Sequence, residues 1–453
     1  MTTDHRLAPI ASDRRPLIGH ALPLLRDRLD FLQKLRAHGP IVRIALGSKS
    51  VTVVNSPELI HQMLTAQSGH FTKGLLFEKL KLFGKDALPV ADGPRHLTRR
   101  RLMQPAFHRE RVNSYVRTMR DTAAPAIGAW SEGDELDLKT EMQLMAQNIV
   151  MSTAFSATPT THAARAILTS VDTLFRAALR RALLPVPLLD RIPTRYNRRL
   201  TQASSTLHQA VAGIITDHRT RPAEYDDVVS MLLDARDETG APLPDDEILS
   251  EVTGLLAAGS ETAAVVMAWL FLEVGRHPEL EARLHTEVDT VLAGQELTAD
   301  HLPRLTFTRT LVQETLRLYS PAWLVTRQAT NVVRLGDFTL PAGTDVIWSP
   351  YTLHRDPALY PNPLRFDPDR WLPDRPQPPK SAFIPFGAGK RQCVGDAFAW
   401  TEMTIITALI ASRWRLRPAP GVRPVPIGAI TVHPSVLRMR TEARQAETTR
   451  EAA

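Results

Sequence analysis

A mainly α fold with smaller β-sheets is predicted by three observations. Between residues 95 and 311 apolar residues recur three and four apart, with Pro and Gly gathered between segments, the pattern of amphipathic helices. PIVRIALGSKSVTVVNSPELI, residues 40–60, carries two β-branched runs around Gly47-Ser48, which reads as a hairpin. After Ser320-Pro321 the texture changes to short strand-like runs parted by Gly and Pro.

The elements follow in order. The opening stretch is Pro-rich and irregular, the hairpin comes next, and Ser56-Pro57 starts a helix with Pro in its first turn. RALLPVPLLDRIPTRY, residues 181–196, is a Pro-rich break between helices. LPDDEILSEVTGLLAAGSETAAVVMAWLFLEVGRHPE reads as one long helix, capped by Asp245 or Asp246 and closed by Gly275 and Pro278. Its middle is apolar nearly all round, so it should cross the interior. A Pro-rich coil covers residues 356–385, a helix follows the cysteine, and short strands run to about residue 440. The expected organisation is one domain over residues 1–441, with a β-rich part near 35–70, a helical body and a strand-rich part over 321–440. Residues 442–453 read as a polar, disordered tail.

Composition bounds the setting. The 453 residues are 43% apolar and 23% charged, ordinary for a globular protein. A single cysteine cannot form an internal disulfide, which fits a reducing cytoplasm. No apolar window of membrane-span length and no secretory h-region is read. Lys and Arg number 55 against 48 Asp and Glu. The arginines are scattered, with no basic tail, so an acidic protein partner fits better than nucleic acid.

The cysteine lies in FIPFGAGKRQCVGDAFAW, residues 383–400. Phe386, Gly387, Gly389, Arg391, Cys393 and Gly395 make a Phe-Gly-x-Gly-x-Arg-x-Cys-x-Gly pattern. Glycines let a backbone pass close to a flat ligand or take positive φ. Lys390, Arg391 and the start of the next helix favour a thiolate, usable as nucleophile or metal ligand. A structural cysteine is the bland reading, and six matched positions in ten outweigh it. The loop resembles the haem-ligand loop of the cytochrome P-450 superfamily, soluble bacterial type. The resemblance implies a triangular prism of helices, with haem b between the long central helix and the Cys-loop helix. It also implies Cys393 as axial iron ligand, with Phe386, Gly387 and Gly395 against the haem.

Other runs carry the same resemblance. ETLR (Glu314, Arg317) precedes PNPLRFDPDRW, which implies a buried triad of Glu314, Arg317 and Arg365. AAGSETAA (residues 257–264) lies in the long apolar helix and matches A-G-x-(D/E)-T. The match implies that Ala258 and Gly259 lie over the haem, with Gly259 leaving room for oxygen and loosening the helix. Thr262 then hydrogen-bonds dioxygen and Glu261 relays protons. Glu replaces the commoner Asp, and Ala263 stands where a second hydroxyl often follows. DGPRHLTRRRLMQPAF (residues 92–107) and TRQA supply His96, Arg100 and Arg327, implied with Arg391 as haem-propionate partners.

The implied activity inserts one oxygen atom of O2 into a hydrophobic molecule and reduces the other to water. No flavin or nucleotide fingerprint is read, so electrons are expected from ferredoxin and ferredoxin reductase. Cations near the thiolate loop and Arg99–Arg101 are read either as docking charges or as a solvated face. A monomer is expected. Substrate-facing candidates are Phe77, Leu80, Phe83, Leu255, Ala258, Trp323, Leu324, Val325 and Ile427, with residues 181–196 as a lid. RPLIGHALPLLRD, PAWLVTRQA and DVIWSPYTLHRDP resemble actinobacterial terpene oxygenases of the pentalenene oxygenase type, which implies a sesquiterpene. A macrolide, another polyketide or a fatty acid is the alternative substrate. Glu261-Thr262 argues against a fatty-acid peroxygenase, which usually carries Arg and Pro there. A non-catalytic haem-binding protein is the alternative of another class.

Overall fold

The computed structural model describes residues 7–183, 192, 194–236 and 239–444. The N-terminal part holds α1 (Ala21–Arg26), α2 (Arg28–Leu35), β1 (Ile41–Leu46), β2 (Lys49–Val54), α3 (Pro57–Leu64), β3 (Phe71–Thr72) and α4 (Leu75–Leu80). Strands β1 and β2 pair antiparallel as the hairpin the sequence predicts, with Ile41 opposite Val54. Ser56 Oγ accepts the Leu59 N–H at 3.3 Å and caps α3, the usual role of a hydroxyl before Pro at N1.

The helical body comprises α5 (Gly93–Met103), α6 (Arg109–Gly128), the short β4 (Glu135–Asp137), α7 (Leu138–Ala154), α8 (Thr161–Leu183) and α9 (Arg195–Thr220). It continues through α10 (Val228–Asp234), α11 (Asp245–Arg276), α12 (Pro278–Leu292) and α13 (Thr306–Leu318). The C-terminal part holds β5 (Val325–Ala329), β6 (Val333–Leu335), β7 (Phe338–Leu340), β8 (Asp345–Trp348) and α14 (Pro350–Leu353). After the coil come α15 (Asp396–Arg413), β9 (Trp414–Pro418), β10 (Pro426–Gly428), β11 (Val432–Pro434) and β12 (Arg438–Ala443).

Two sheets tie distant parts of the chain together. The larger runs β1-β2-β8-β5-β3, with β2 parallel to β8. The smaller runs β4-β12-β9 and joins the helical middle to the C-terminus. Because β12 extends to Ala443 and Thr441 is 1% exposed, the expected tail cannot begin at residue 442. Residues 445–453 lie outside the described residues, as does most of the expected lid.

Helix α11 is the axis of the core and packs against α7, α9, α13 and α15. It is long and apolar enough to cross a membrane by length and composition, contrary to the sequence reading. Its apolar stretch is instead buried in protein, with Val265 to Leu270 all essentially inaccessible. Its ends also differ from expectation. Pro244 is the N-cap residue and Asp245 bonds Arg219 at 2.7 Å. Asp245, Asp246 and Glu247 occupy the first turn, where negative charge suits the helix dipole. Gly275 lies inside the helix, where a Cβ would strike the Leu416 carbonyl. It permits close packing of β9 and does not end the helix.

Candidate active site

The Cys loop is shaped by its glycines. Gly387 and Gly389 take φ of +72° and +69°, values that L side chains avoid. A Cβ on Gly389 would also strike the Leu64 carbonyl. Cys393 N–H donates to Phe386 O at 2.9 Å and closes the loop, and Gly395 forms the N-cap of α15. The Cys393 Sγ opens onto a cavity of about 350 Å³ that α11 roofs with Ala258, Gly259 and Thr262.

The charge around the thiol differs from the sequence reading. Lys390 is exposed, and Arg391 turns to Asp92 at 2.7 Å and to the Phe71 carbonyl at 2.6 Å. Cys393 is exposed to the cavity, yet the protein packed around its sulfur pushes the thiol up to about 11, against which the Gly395 N–H and Arg100 pull down. A metal ion coordinated by the sulfur would hold it as the thiolate.

One end of the cavity is rich in cations. His96 and Arg100 come from α5, Arg327 from β5, Arg391 from the Cys loop and Lys73 from the turn after β3, and all line it. Lys73 Nζ donates to the Leu88 and Pro89 carbonyls at 2.6 and 2.8 Å. Arg327 Nη1 donates to its neighbour's carbonyl, Thr326 O, at 2.8 Å. Burial lowers Lys73 to about 7 and Arg327 to about 9. It also lowers His96 to about 3, with Lys73 and the arginines pushing the same way. Asp92 is the carboxylate paired into this group. Positive charge is in excess and buried, a costly state unless anions enter. These residues fit a haem: Cys393 would hold its iron, and these cations would take its two propionates. Lys73 is the member the sequence reading missed, because HFTKGLL belongs to none of the motifs read there.

Helix α11 runs unbroken through Gly259, so the expected loosening is absent. A Cβ on Gly259 would meet the Val150 side chain of α7 at 2.6 Å, which gives this glycine a packing reason. Thr262 faces the cavity and its Oγ1 donates to Ala258 O at 2.9 Å. Glu261 does not line the cavity. It is 7% exposed, receives the Thr431 hydroxyl at 2.9 Å and is bonded by the Gln143 amide. Burial raises its acid range. A second acid missed in the sequence, Glu402 of α15, lines the cavity at 1% exposure. Its Oε1 has no hydrogen-bond partner among the described residues, and burial drives its acid range far up.

The expected triad is corrected at one position. Glu314 and Arg317 are fully buried and bidentate, but Arg365 is exposed and offers only its carbonyl, 3.1 Å from Arg317 Nη2. The third side chain is Arg370, with Nε 3.7 Å from Glu314 Oε1. The one-turn 3-10 helix at Pro368–Trp371 turns Arg370 and Trp371 inward, and the Trp371 indole donates to Glu314 Oε2 at 2.9 Å. Pro363-Leu364-Arg365-Phe366 and Pro368-Asp369-Arg370-Trp371 share one pattern, so spacing alone could not choose between them.

Other expected positions also move. Arg99 is buried against Glu247 and Glu251, the latter at 3.3 Å, so of Arg99–Arg101 only Arg101 is exposed. Phe77, Leu255, Ala258 and Val325 line the cavity. Phe83 instead packs against Phe175 with the rings tilted and their centroids 4.5 Å apart, and Leu80 packs on the main core. Trp323 is 2% exposed and donates to Ala429 O at 2.6 Å, and Leu324 packs beside it in the N-terminal core. Ile427 on β10 is 39% exposed to the outside. Packing against neighbours keeps the first four off the cavity wall, and Ile427 lies at the surface.

A thiol below, a hydroxyl-bearing helix above and a cationic end define a haem-thiolate protein. The cytochrome P450 family model matches residues 9–439. Cyclooctatin synthase of Streptomyces melanosporofaciens is 40% identical over 447 residues, 98% of this chain and 97% of the relative. Pentalenene oxygenase of Streptomyces avermitilis is 38% identical over 432 residues, 95% and 96% of the two chains. The fold is also that of the cytochrome P450DA haem domain, 24% identical with a TM-score of 0.87 over 97% of this chain and 98% of that one. The chain belongs to the cytochrome P450 family, and its cofactor is haem b.

Proposed function

We propose that this monooxygenase acts on a terpene hydrocarbon or terpene alcohol, with reduced ferredoxin as electron donor. Three relatives support the substrate class. Cyclooctatin synthase, cyclooctat-9-en-7-ol 5-monooxygenase and pentalenene oxygenase are 38–40% identical over at least 90% of this chain, and each bears a terpene name. The observation that carries the reading is the cavity itself, walled mostly by apolar side chains away from its cationic end, with Thr262 and Cys393 both on its lining.

The chain's own residues divide the work. Cys393 would hold the iron, and His96, Arg100, Arg327, Arg391 and Lys73 would hold the propionates. Phe77, Leu255, Ala258 and Val325 exclude water and bind by area, not by polar anchors. When bound, haem supplies the activation of O2, so that substrate C–H, O2, two electrons and two protons give C–OH and water. The Thr262 hydroxyl can leave Ala258 O and donate into the cavity, and Glu261 resupplies its proton. The surface cations Arg101 and Lys390 offer docking charge for an acidic ferredoxin. The protein acts as a monomer in the cytoplasm.

The test is a titration of the ferric protein with terpenes, macrolides and fatty acids, followed by turnover under labelled O2. Saturable loss of the iron-bound water with terpenes, and one labelled oxygen in the product, is expected. Saturation with fatty acids alone would overturn the substrate class. Turnover with peroxide but not with reduced ferredoxin would overturn the donor.

A further inference from the structure

Segment 81–92, between α4 and α5, forms neither helix nor strand, yet two of its residues, Leu88 and Pro89, stand in the cavity wall. Ionisable side chains hold the backbone there. Glu251 of α11 accepts the Leu88 N–H at 2.9 Å through Oε2. From the other side Lys73 Nζ donates to the Leu88 and Pro89 carbonyls at 2.6 and 2.8 Å. Proline has no N–H, so these two side chains between them bond the backbone polar groups of both wall residues.

Glu251 is fully buried, and an acid in such a place is costly unless it is bonded. Charge pairing alone does not account for it. Arg99 of α5 reaches Glu251 Oε1 at 3.3 Å, but it also pairs with Glu247, one turn earlier on α11. The Leu88 N–H is bonded by Glu251 and not by Glu247.

Two glycines let the segment lie this close to α11. A Cβ on Gly84 would strike the Ser250 carbonyl, and one on Gly254 would stand 2.7 Å from the Ala87 Cβ. Leu255 follows Glu251 by four residues, so the two share a face of the helix. Leu255, Ala258 and Gly259 carry that face along the cavity. The gap between the segment and α11, and with it the width of the cavity, is therefore set at Glu251 and Gly254.

We propose that Glu251 is a specificity-determining positioning residue, which holds Leu88 and Pro89 in the cavity wall and thereby selects the carbon that is oxidised. The proposal rests on the reading of the substrate as a terpene. A molecule with few polar groups is oriented by the shape of its enclosure. Reacting atoms must come within about 3–3.5 Å of each other, so a small displacement of the wall presents a different carbon. Glu251 touches no substrate itself and acts through Leu88.

The test compares Glu251→Leu, Glu251→Gln, Glu247→Gln and Gly254→Ala in haem-loaded protein. Hydrogen exchange in peptides spanning residues 84–92 reads the hold on Leu88. Two phenylimidazole isomers, with the phenyl ring on nitrogen or on carbon, ligate the iron and read the shape of the wall whatever the natural substrate is. The ratio of oxidation products from one sesquiterpene hydrocarbon reads selectivity. Glu251→Leu should speed exchange and change the ratio of the two phenylimidazole affinities about tenfold, the scale of one lost hydrogen bond. The product ratio should shift in the same variant. Glu251→Gln keeps an oxygen for the Leu88 N–H and should restore all three readings. Glu247→Gln weakens the Arg99 pairing without touching Leu88 and should match wild type. Gly254→Ala displaces the segment by bulk, should change both ratios, and serves if Glu251→Leu fails to fold. Unchanged exchange and affinities in Glu251→Leu, or Glu251→Gln as altered as Glu251→Leu, would overturn the positioning role. Altered exchange and affinities with an unchanged product ratio would overturn the selectivity role alone. No product from any terpene would overturn the substrate reading and the selectivity built on it, while exchange and affinities still judge the hold on Leu88.

Discussion

Arg317 grips Glu314 at two points, Nε to Oε2 and Nη2 to Oε1, both at 2.8 Å, with neither side chain exposed. Glu314 also accepts the Asp367 N–H and the Trp371 indole, both at 2.9 Å. The pair therefore ties α13 to the coil that leads into the Cys loop. Glu314→Ala would strand a buried guanidinium, at a cost of about 3–5 kcal/mol. The expected outcome is loss of haem-loaded, folded protein, read from the carbon monoxide spectrum and from denaturation. Arg370→Ala should weaken the protein in the same assay, and Arg365→Ala should leave it near wild type. Equal effects of the two arginines would contradict the geometry.

Lys73 gives a pH dependence to the haem-free protein. Its folded value is about 7 against 10.5 for the exposed group. Between those values the unfolded chain binds more protons than the folded one, so stability rises with pH across that window. Below about 7 both states are charged and the burial penalty is felt in full. Urea midpoints of the haem-free protein should therefore rise from pH 7 to about pH 9.5, by more than in Lys73→Met. Loading with haem should shrink the difference, because the propionates favour the charged amine. An identical slope in Lys73→Met would exclude Lys73 as the titrating group.

The Cys393 thiol should be slow in the haem-free protein. With burial holding it up at about 11, little thiolate exists at neutral pH, and the thiolate is the reactive form. Alkylation by iodoacetamide should accelerate about tenfold per pH unit until roughly pH 11. Haem should abolish it. A rate already at its plateau near pH 8 would mean that nearby cations outweigh burial.

Phe77 and Phe83 separate binding from packing. Phe77 lines the cavity and Phe83 is core, 4% exposed. Phe77→Ala should change substrate affinity with little change in melting temperature. Phe83→Ala should cost about 3–5 kcal/mol of stability and leave relative substrate preference intact. The pair of measurements is a thermal scan and a binding titration on each variant.

The mainly α class, the family and the haem were legible in the sequence, because each rests on local spacing. Three residues apart on a helix places Glu314 against Arg317 wherever that helix lies. The Cys loop likewise carries its glycines, cysteine and following helix within a few residues of each other. Periodicity also sufficed to place α11 in the interior, since a helix apolar all round has no face for solvent.

Contacts between distant segments were decided only by the tertiary structure. Two identical Pro-x-Arg-aromatic runs stand five residues apart, and only the turn at Pro368–Trp371 brings Arg370, not Arg365, to Glu314. Lys73 joins the cationic end because the chain after β3 meets the turn before α5. Arg99 looked like surface charge until α11 brought Glu247 and Glu251 over it. Glu261 faces Gln143 and Thr431, on segments more than a hundred residues away in either direction. Sequence periodicity says which face of a helix a residue occupies. What packs against that face, and so whether a charge is buried, paired or free, is set by the whole chain.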